Sequence, residues 1–272
     1  VRLEAPRAAS PSLAHRVVVR HARGALEATS QPERTVGHAA IVPLVKLSVL
    51  MPVYNEARTV ELAAKRLLDV TFPCEVELVV CDDGSTDGTA EIVQAIDDAR
   101  VTTARHETNR GKGAAVRTAA SHATGDFLLI YDADLEYPPE QIPKLLEPVL
   151  AGETEVVYGT RVFGGTSAYT YWYVLGNRAV TTAANVLFNS YITDLSTCFK
   201  LLPLPLYREL AVKENGFGAD PELTAKLLKR GIRPFEIPIT YRSRTRAEGK
   251  KITWRHGFEA LAVLLKVRFN LL

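Results

Sequence analysis

The chain has 272 residues, 47% of them hydrophobic and 24% charged, and a formal net charge of +2. This is globular composition, sized for one large α/β domain or two small ones. From so small a charge no strong general attraction to nucleic acid or to a membrane follows, and no apolar run is long enough to cross a bilayer.

Residues 1–43 mix Pro, Ala, Ser and scattered Arg with little periodicity and read as a flexible N-terminal extension, with a short docking helix as the alternative. No positive–apolar–cleavage-site leader is found there. From residue 44 to 250 strand and helix patterns alternate. "KLSVLMPVY" is an apolar, β-branched strand, and "EARTVELAAKRLLDV" has helical spacing. "VELVVCDDG" is a strand ending on two aspartates, and "TDGTAEIVQAIDD" is a helix with Thr86 or Asp87 at its N-cap. A weaker strand "RVTTARHE", a helix "GKGAAVRTAASHA" and a strand "DFLLIYDAD" follow. This order predicts a mostly parallel sheet with helices on both faces. Residues 251–272 read as an apolar-rich helix with Arg255, Lys266 and Arg268, which packs on the domain or lies at a membrane surface. Cys74, Cys81 and Cys198 lack metal-ligand spacing and read as buried thiols of a reducing compartment.

Ligands of such sheets bind beyond the carboxyl ends of the strands. Acids occupy three of those ends, at Pro52–Glu56, Asp82–Asp87 and Asp132–Glu136. A dinucleotide site is excluded, because the first strand runs into "PVYNEA" rather than a G-x-G-x-x-G turn; "NRGKGAA" also lacks P-loop spacing. Acids repel phosphate unless a cation stands between them. Asp132, Asp134 and Glu136 alternate, so in an extended segment they would share a face, and hard oxygen ligands suit Mg²⁺ or Mn²⁺.

The ordered motifs "VLMPVYNEARTV", "VVCDDGSTDGTAEI", "NRGKGAAVRTA", "LLIYDADLEYPPEQIPKLL" and "VVYGTR" resemble the family 2 glycosyltransferases of GT-A fold. "TDLSTCFKL", "GFGADPELTAKLLKRG" and "EIPITYRSRTRAEGKKI" are similar to the dolichol-phosphate mannose synthase branch, with its bacterial polyprenyl-phosphate sugar synthases. The resemblance covers Lys46 to Leu265 and implies a single catalytic domain. It implies a nucleotide pocket lined by Pro52, Tyr54 and Glu56, with Asp83 on the base or ribose. It implies Asp134 and Glu136 as metal ligands, Asp132 against the metal or donor sugar, and Arg161 and Arg244 facing phosphates. Branch members often carry Gln where Glu136 stands.

The implied reaction is inverting transfer of a sugar from a nucleotide diphosphate (GDP-mannose or a UDP-hexose) to polyprenyl or dolichyl phosphate. The implied place is the cytoplasmic face of a membrane, reached through its surface or a membrane-protein partner. A soluble hydroxyl acceptor is the alternative, and it would call for a carboxylate base. Asp220 and Glu222 are the candidates, although Asp-Pro-Glu before an apolar helix is also a capping arrangement. Asp87 reads as a cap, and Asp194 with Thr197 as a turn or a site. The aromatic "YTYWYVLGN" reads as core or as a lipid-adjacent surface. The basic run "RSRTRAEGKKITWR" favours an anion role, with Lys250 joining Arg161 and Arg244 at an acceptor phosphate.

Overall fold

The computed structural model describes residues 45–162, 164, 171–244 and 254–272. Seven strands form one sheet: β1 (Lys46–Val53), β2 (Glu75–Asp82), β3 (Val101–Arg105), β4 (Phe127–Ile130), β5 (Val157–Thr160), β6 (Lys200–Pro203) and β7 (Phe235–Pro238). Their order is β3-β2-β1-β4-β6-β5-β7, and among the described strands only β6 runs against the rest. Among the described residues eight α-helices surround it: α1 (Val60–Leu68), α2 (Thr89–Gln94), α3 (Lys112–His122), α4 (Ile142–Leu150), α5 (Tyr171–Phe188), α6 (Leu204–Leu210), α7 (Ala219–Lys229) and α8 (Trp254–Arg268).

The central strands are apolar because both their faces are covered, as parallel sheets require. β1, between β2 and β4, is buried along almost its whole length, whereas β3 is an edge strand with exposed residues, which explains its weak pattern. Small residues of α3, among them Ala115, Ala119 and Ala120, let that helix settle on β1 and β2. Gly111, just before α3, has φ 99°, and a Cβ there would collide with the Asn215 carbonyl. The glycine is therefore needed for both its backbone conformation and its close approach.

A second apolar cluster joins Val180 and Ala184 of α5, Ala225 and Leu228 of α7, and Ala260, Val263, Leu264 and Val267 of α8. The α8 residues recur at helical spacing and form one buried stripe. At its far end, Arg268 Nε donates to the Leu187 carbonyl at 3.0 Å. The C-terminal helix is thus packed on the domain by one face.

Two features depart from the sequence expectation. β6 inserts antiparallel between β4 and β5. The strand expected over 126–134 ends at Ile130, and the chain then turns, with Leu135 at φ 61° and the Glu136 amide donating to Asp134 Oδ1 at 3.0 Å. An aspartate that satisfies a nearby amide competes with the sheet ladder. The three acids therefore sit on a turn rather than along one strand face.

Candidate functional site

The carboxyl ends of β1, β2, β4 and β5 lie at one edge of the sheet and carry Glu56, Asp83, Asp132–Glu136 and Arg161. Arg244 joins them from the segment after β7. Asn55, at φ 52°, ties the first two ends together: its amide donates to Ser85 Oγ and its Oδ1 accepts from the Thr86 amide, both at 2.9 Å. Pro52 and Tyr54 are half-buried beside it. Asp83 is buried and committed on both oxygens. Its Oδ1 pairs with His106 Nδ1 at 2.6 Å and accepts the Arg110 amide at 2.9 Å, while Oδ2 accepts the Gly111 amide at 2.8 Å. In this arrangement Asp83 shapes the loop that enters α3.

The acidic turn divides its carboxylates among different partners. Asp132 Oδ2 pairs with Lys112 Nζ at 2.8 Å. Lys112 also lies 3.5 Å from Asp220 Oδ2, and Lys200 Nζ lies 3.4 Å from Asp220 Oδ1. Charges of alternating sign thus run inward from Asp132. Burial opposes the charge on both Lys112 and Asp220, yet their partners prevail. The lysine is held well above its ordinary pKa, chiefly by Asp132, and Asp220 below its own by Lys200 and Lys112. At Asp134 burial, then Asp132 and Glu136, outweigh the Glu136 amide and the charge of Arg244 and push the carboxyl up to about 7.

Glu136 has a different surrounding. Its Oε2 accepts the Tyr241 hydroxyl and its Oε1 the Arg244 amide at 2.6 Å, while its carbonyl accepts the Arg242 amide at 2.9 Å. The Arg244 guanidinium reaches across to Glu56, with Nη1 3.0 Å from Oε2. Its Nη2 is buried with no hydrogen-bond partner among the described residues. The structure therefore brings Glu56, Glu136 and Arg244 together.

Arg161 was expected to face phosphate. It is instead 7% exposed and forked by Asp194, Nε to Oδ2 at 2.6 Å and Nη2 to Oδ1 at 2.8 Å, with its guanidinium carbon 5.0 Å from the Tyr241 ring centre. The planar fork has found a carboxylate within the protein. Asp194 is accordingly an ion-pair partner rather than a simple turn residue. Asp87 anchors the start of α2 through the Thr89 amide at 3.1 Å. Glu222, fully buried, accepts the Lys213 and Glu214 amides and pairs with Lys226 at 2.6 Å, which makes it a structural brace. Asp220 makes no capping bond. Lys250 lies outside the described residues.

Among the described residues no group of three or more His, Cys, Asp or Glu is arranged to hold a metal ion. Asp132 and Asp134 nonetheless fit Mg²⁺ or Mn²⁺. Both are hard oxygen donors, and burial with the neighbouring carboxylates raises the Asp134 pKa to about 7, a crowding of negative charge that a divalent cation would relieve. Mg²⁺ commonly takes one or two carboxylates and completes its shell with substrate phosphates and water. Lys112, Lys200, His106 and Tyr241 are the residues that sequence reasoning did not assign. Only Lys112 carried a local signal, its place between two glycines in "RGKGA".

Glycosyltransferase AglJ of Haloferax volcanii is 28% identical over 194 residues, covering 71% of this chain and 62% of that protein. Glycosyltransferase AglD of the same organism is 28% identical over 75% of this chain and 34% of its own length. Dolichol-phosphate mannosyltransferase of Pyrococcus furiosus is 28% identical over 76% of this chain and 59% of its own length. The chain thus spans less than two thirds of each of these relatives. Glucosyl-3-phosphoglycerate synthase from Mycobacterium tuberculosis, in complex with UDP, superposes with a TM-score of 0.66 at 21% identity, over 89% of this chain and 87% of that one. Its complex with Mn²⁺, UDP and glucosyl-3-phosphoglycerate gives 0.62 at 20% identity, over 87% and 86%. The shared architecture is the GT-A fold that the motifs implied. The sequence model of Glycosyl transferase family 2 matches residues 48–210, more than half of the chain, which belongs to that family.

Proposed function

We propose that the chain is an inverting, metal-dependent glycosyltransferase that moves a sugar from a nucleotide diphosphate, GDP-mannose or a UDP-hexose, to a polyprenyl or dolichyl phosphate. The donor half draws support from the UDP complexes of the structural neighbours and from the acidic turn. Pro52, Tyr54 and Glu56 receive the nucleoside at the end of β1. Asp134, with Asp132, would hold Mg²⁺ or Mn²⁺, whose positive charge stabilises the leaving diphosphate when bound. Arg244 adds a buried Nη2 with no hydrogen-bond partner among the described residues, a donor suited to a phosphate oxygen. The sugar's anomeric carbon loses its bond to the diphosphate oxygen and gains one to the acceptor oxygen on the opposite face.

Asp220 carries the choice of acceptor. It shares Lys112 with Asp132 of the acidic turn, and it is clamped between Lys112 and Lys200. A base so neutralised is poor at removing a hydroxyl proton, whereas a phosphate acceptor is already an anion. The P. furiosus relative favours the same class. The M. tuberculosis neighbour, solved with phosphoglyceric acid, favours the alternative of a soluble acceptor.

No helix among the described residues is long and apolar enough to cross a membrane. We place the enzyme peripherally, at the cytoplasmic face. Exposed Tyr171 and Trp172 on α5, and Phe258, Leu265 and Phe269 at the C-terminal helix, support contact with lipid or a membrane-protein partner. The test offers the purified chain Mg²⁺ or Mn²⁺, GDP-mannose or UDP-glucose, and either a short polyprenyl phosphate or the matching polyprenol. Transfer to the phosphate alone is expected, and equal use of both lipids overturns the proposal.

A further inference from the structure

We infer that Glu136, with Tyr241, is the anchor of a strap, residues 241–244, that aims Arg244 at the site, and that the metal is left to Asp134 and Asp132. This rests on the function proposed above and assigns Glu136 a role other than the metal ligand implied by resemblance.

Each polar group of Glu136 that faces the strap is engaged by it. The carboxylate takes the Tyr241 hydroxyl on one oxygen and the Arg244 amide on the other, and the main-chain carbonyl takes the Arg242 amide. Three bonds across four residues fix both the position and the direction of that segment. Glu136 is 8% exposed and Tyr241 2%, so water competes poorly for either group. The phenol ring is also held edge-on by Tyr137 at 4.9 Å, and Arg161 lies over it at 5.0 Å. Arg161 is in turn fixed by Asp194.

A continuous set of contacts thus runs from Asp194 through Arg161, Tyr241 and Glu136 to Arg244, and ends on Glu56. It joins the ends of β5, β4 and β1 through the strap. Its product is a guanidinium with one nitrogen on Glu56 and another buried without a partner among the described residues. Such a group must be held against its own tendency to seek water or a second carboxylate. Glu136 makes three of the bonds that hold the strap and is a positioning residue that acts through Arg244.

Three variants test this: Glu136→Gln and Tyr241→Phe, which keep shape and remove one charge or one hydroxyl, and Asp134→Asn as the contrast. The first measurement is hydrogen exchange of the Arg242 and Arg244 amides in the ligand-free chain. Each strap variant should speed it by about tenfold or more, and Asp134→Asn should not. The second is Mn²⁺ affinity by electron paramagnetic resonance with UDP or GDP present. Glu136→Gln and Tyr241→Phe should leave it unchanged, and Asp134→Asn should abolish it. In turnover, the strap variants should lower kcat with the donor KM preserved. Unmoved amide exchange in both strap variants overturns the proposal. So does a loss of Mn²⁺ affinity in Glu136→Gln as large as in Asp134→Asn. If the unaltered chain binds neither Mn²⁺–UDP nor Mn²⁺–GDP, the proposed function fails, while amide exchange still decides the role of the strap.

Discussion

At Asp134 the local chemistry makes a pH dependence that can be read without substrate. Its ordinary value is 3.8 and burial with two neighbouring carboxylates raises it to about 7 in the fold. Between those values the folded chain keeps a proton that the unfolded chain has released. The stabilising contribution is full below the ordinary carboxyl value and is lost as pH rises through about 7. The metal-free chain should therefore unfold at lower urea concentration at about pH 8 than at about pH 6, and Asp134→Asn should flatten that slope. An Asn variant with the same slope would place its origin elsewhere. The Asn variant should also lose metal-dependent nucleotide binding while keeping its circular dichroism spectrum. Arg244 makes a second prediction. A guanidinium can hold Glu56 and a phosphate oxygen at once, whereas an ammonium is a point charge. Arg244→Lys should slow transfer by about ten- to a hundredfold, the worth of one charge-assisted hydrogen bond, with donor affinity largely retained. Wild-type turnover in the Lys variant would remove Arg244 from the reaction.

Among the elements, α8 separates two effects on one helix. Leu264 is fully buried in the cluster shared with α5 and α7, while Phe258, Leu265 and Phe269 are 66%, 47% and 63% exposed at helical spacing on another face. Leu264→Ala should cost about 2–5 kcal/mol in urea unfolding through lost burial and a residual cavity. Serine at Phe258, Leu265 and Phe269 together should change stability little and reduce flotation with anionic vesicles. Unchanged flotation would leave the outward apolar face without a membrane role. The existence of this helix, like that of β1, β2 and α3, was legible in the sequence, the strands as continuous apolar runs and the helices by their spacing, whereas which face of α8 packs inward was left open. β6 was not, since an antiparallel insertion depends on the neighbours it finds at β4 and β5 rather than on its own four residues. The turn at Asp132–Glu136 was legible as a cluster of acids and misread as an extended face, because local aspartate hydrogen bonding overrode the strand pattern. The Glu136–Tyr241 bond links residues 105 positions apart, and no local spacing encodes it.

For the molecule as a whole, the parallel sheet gathers four strand ends into one acidic edge, and the strap after β7 returns a cation to it. Its described parts, from Pro52 to Arg244, are held by contacts among residues 45–272. Lys46 begins β1, pairing at once with Glu77 at 2.9 Å and, through its amide, with Asp126 at 2.9 Å. The first strand is therefore secured by β2 and by the turn before β4. Residues 1–43 contribute no motif of the site and have a composition low in periodic apolar positions. A chain that starts at residue 44 should fold with the same urea midpoint and transfer sugar with unchanged kcat and KM for both donor and acceptor. The comparison is made on the full-length and shortened chains under the same metal and lipid conditions. A shift in midpoint would mean that the segment packs on the domain. A fall in kcat, or a rise in acceptor KM, with folding unchanged would instead give the segment a part in closing the site or presenting the acceptor.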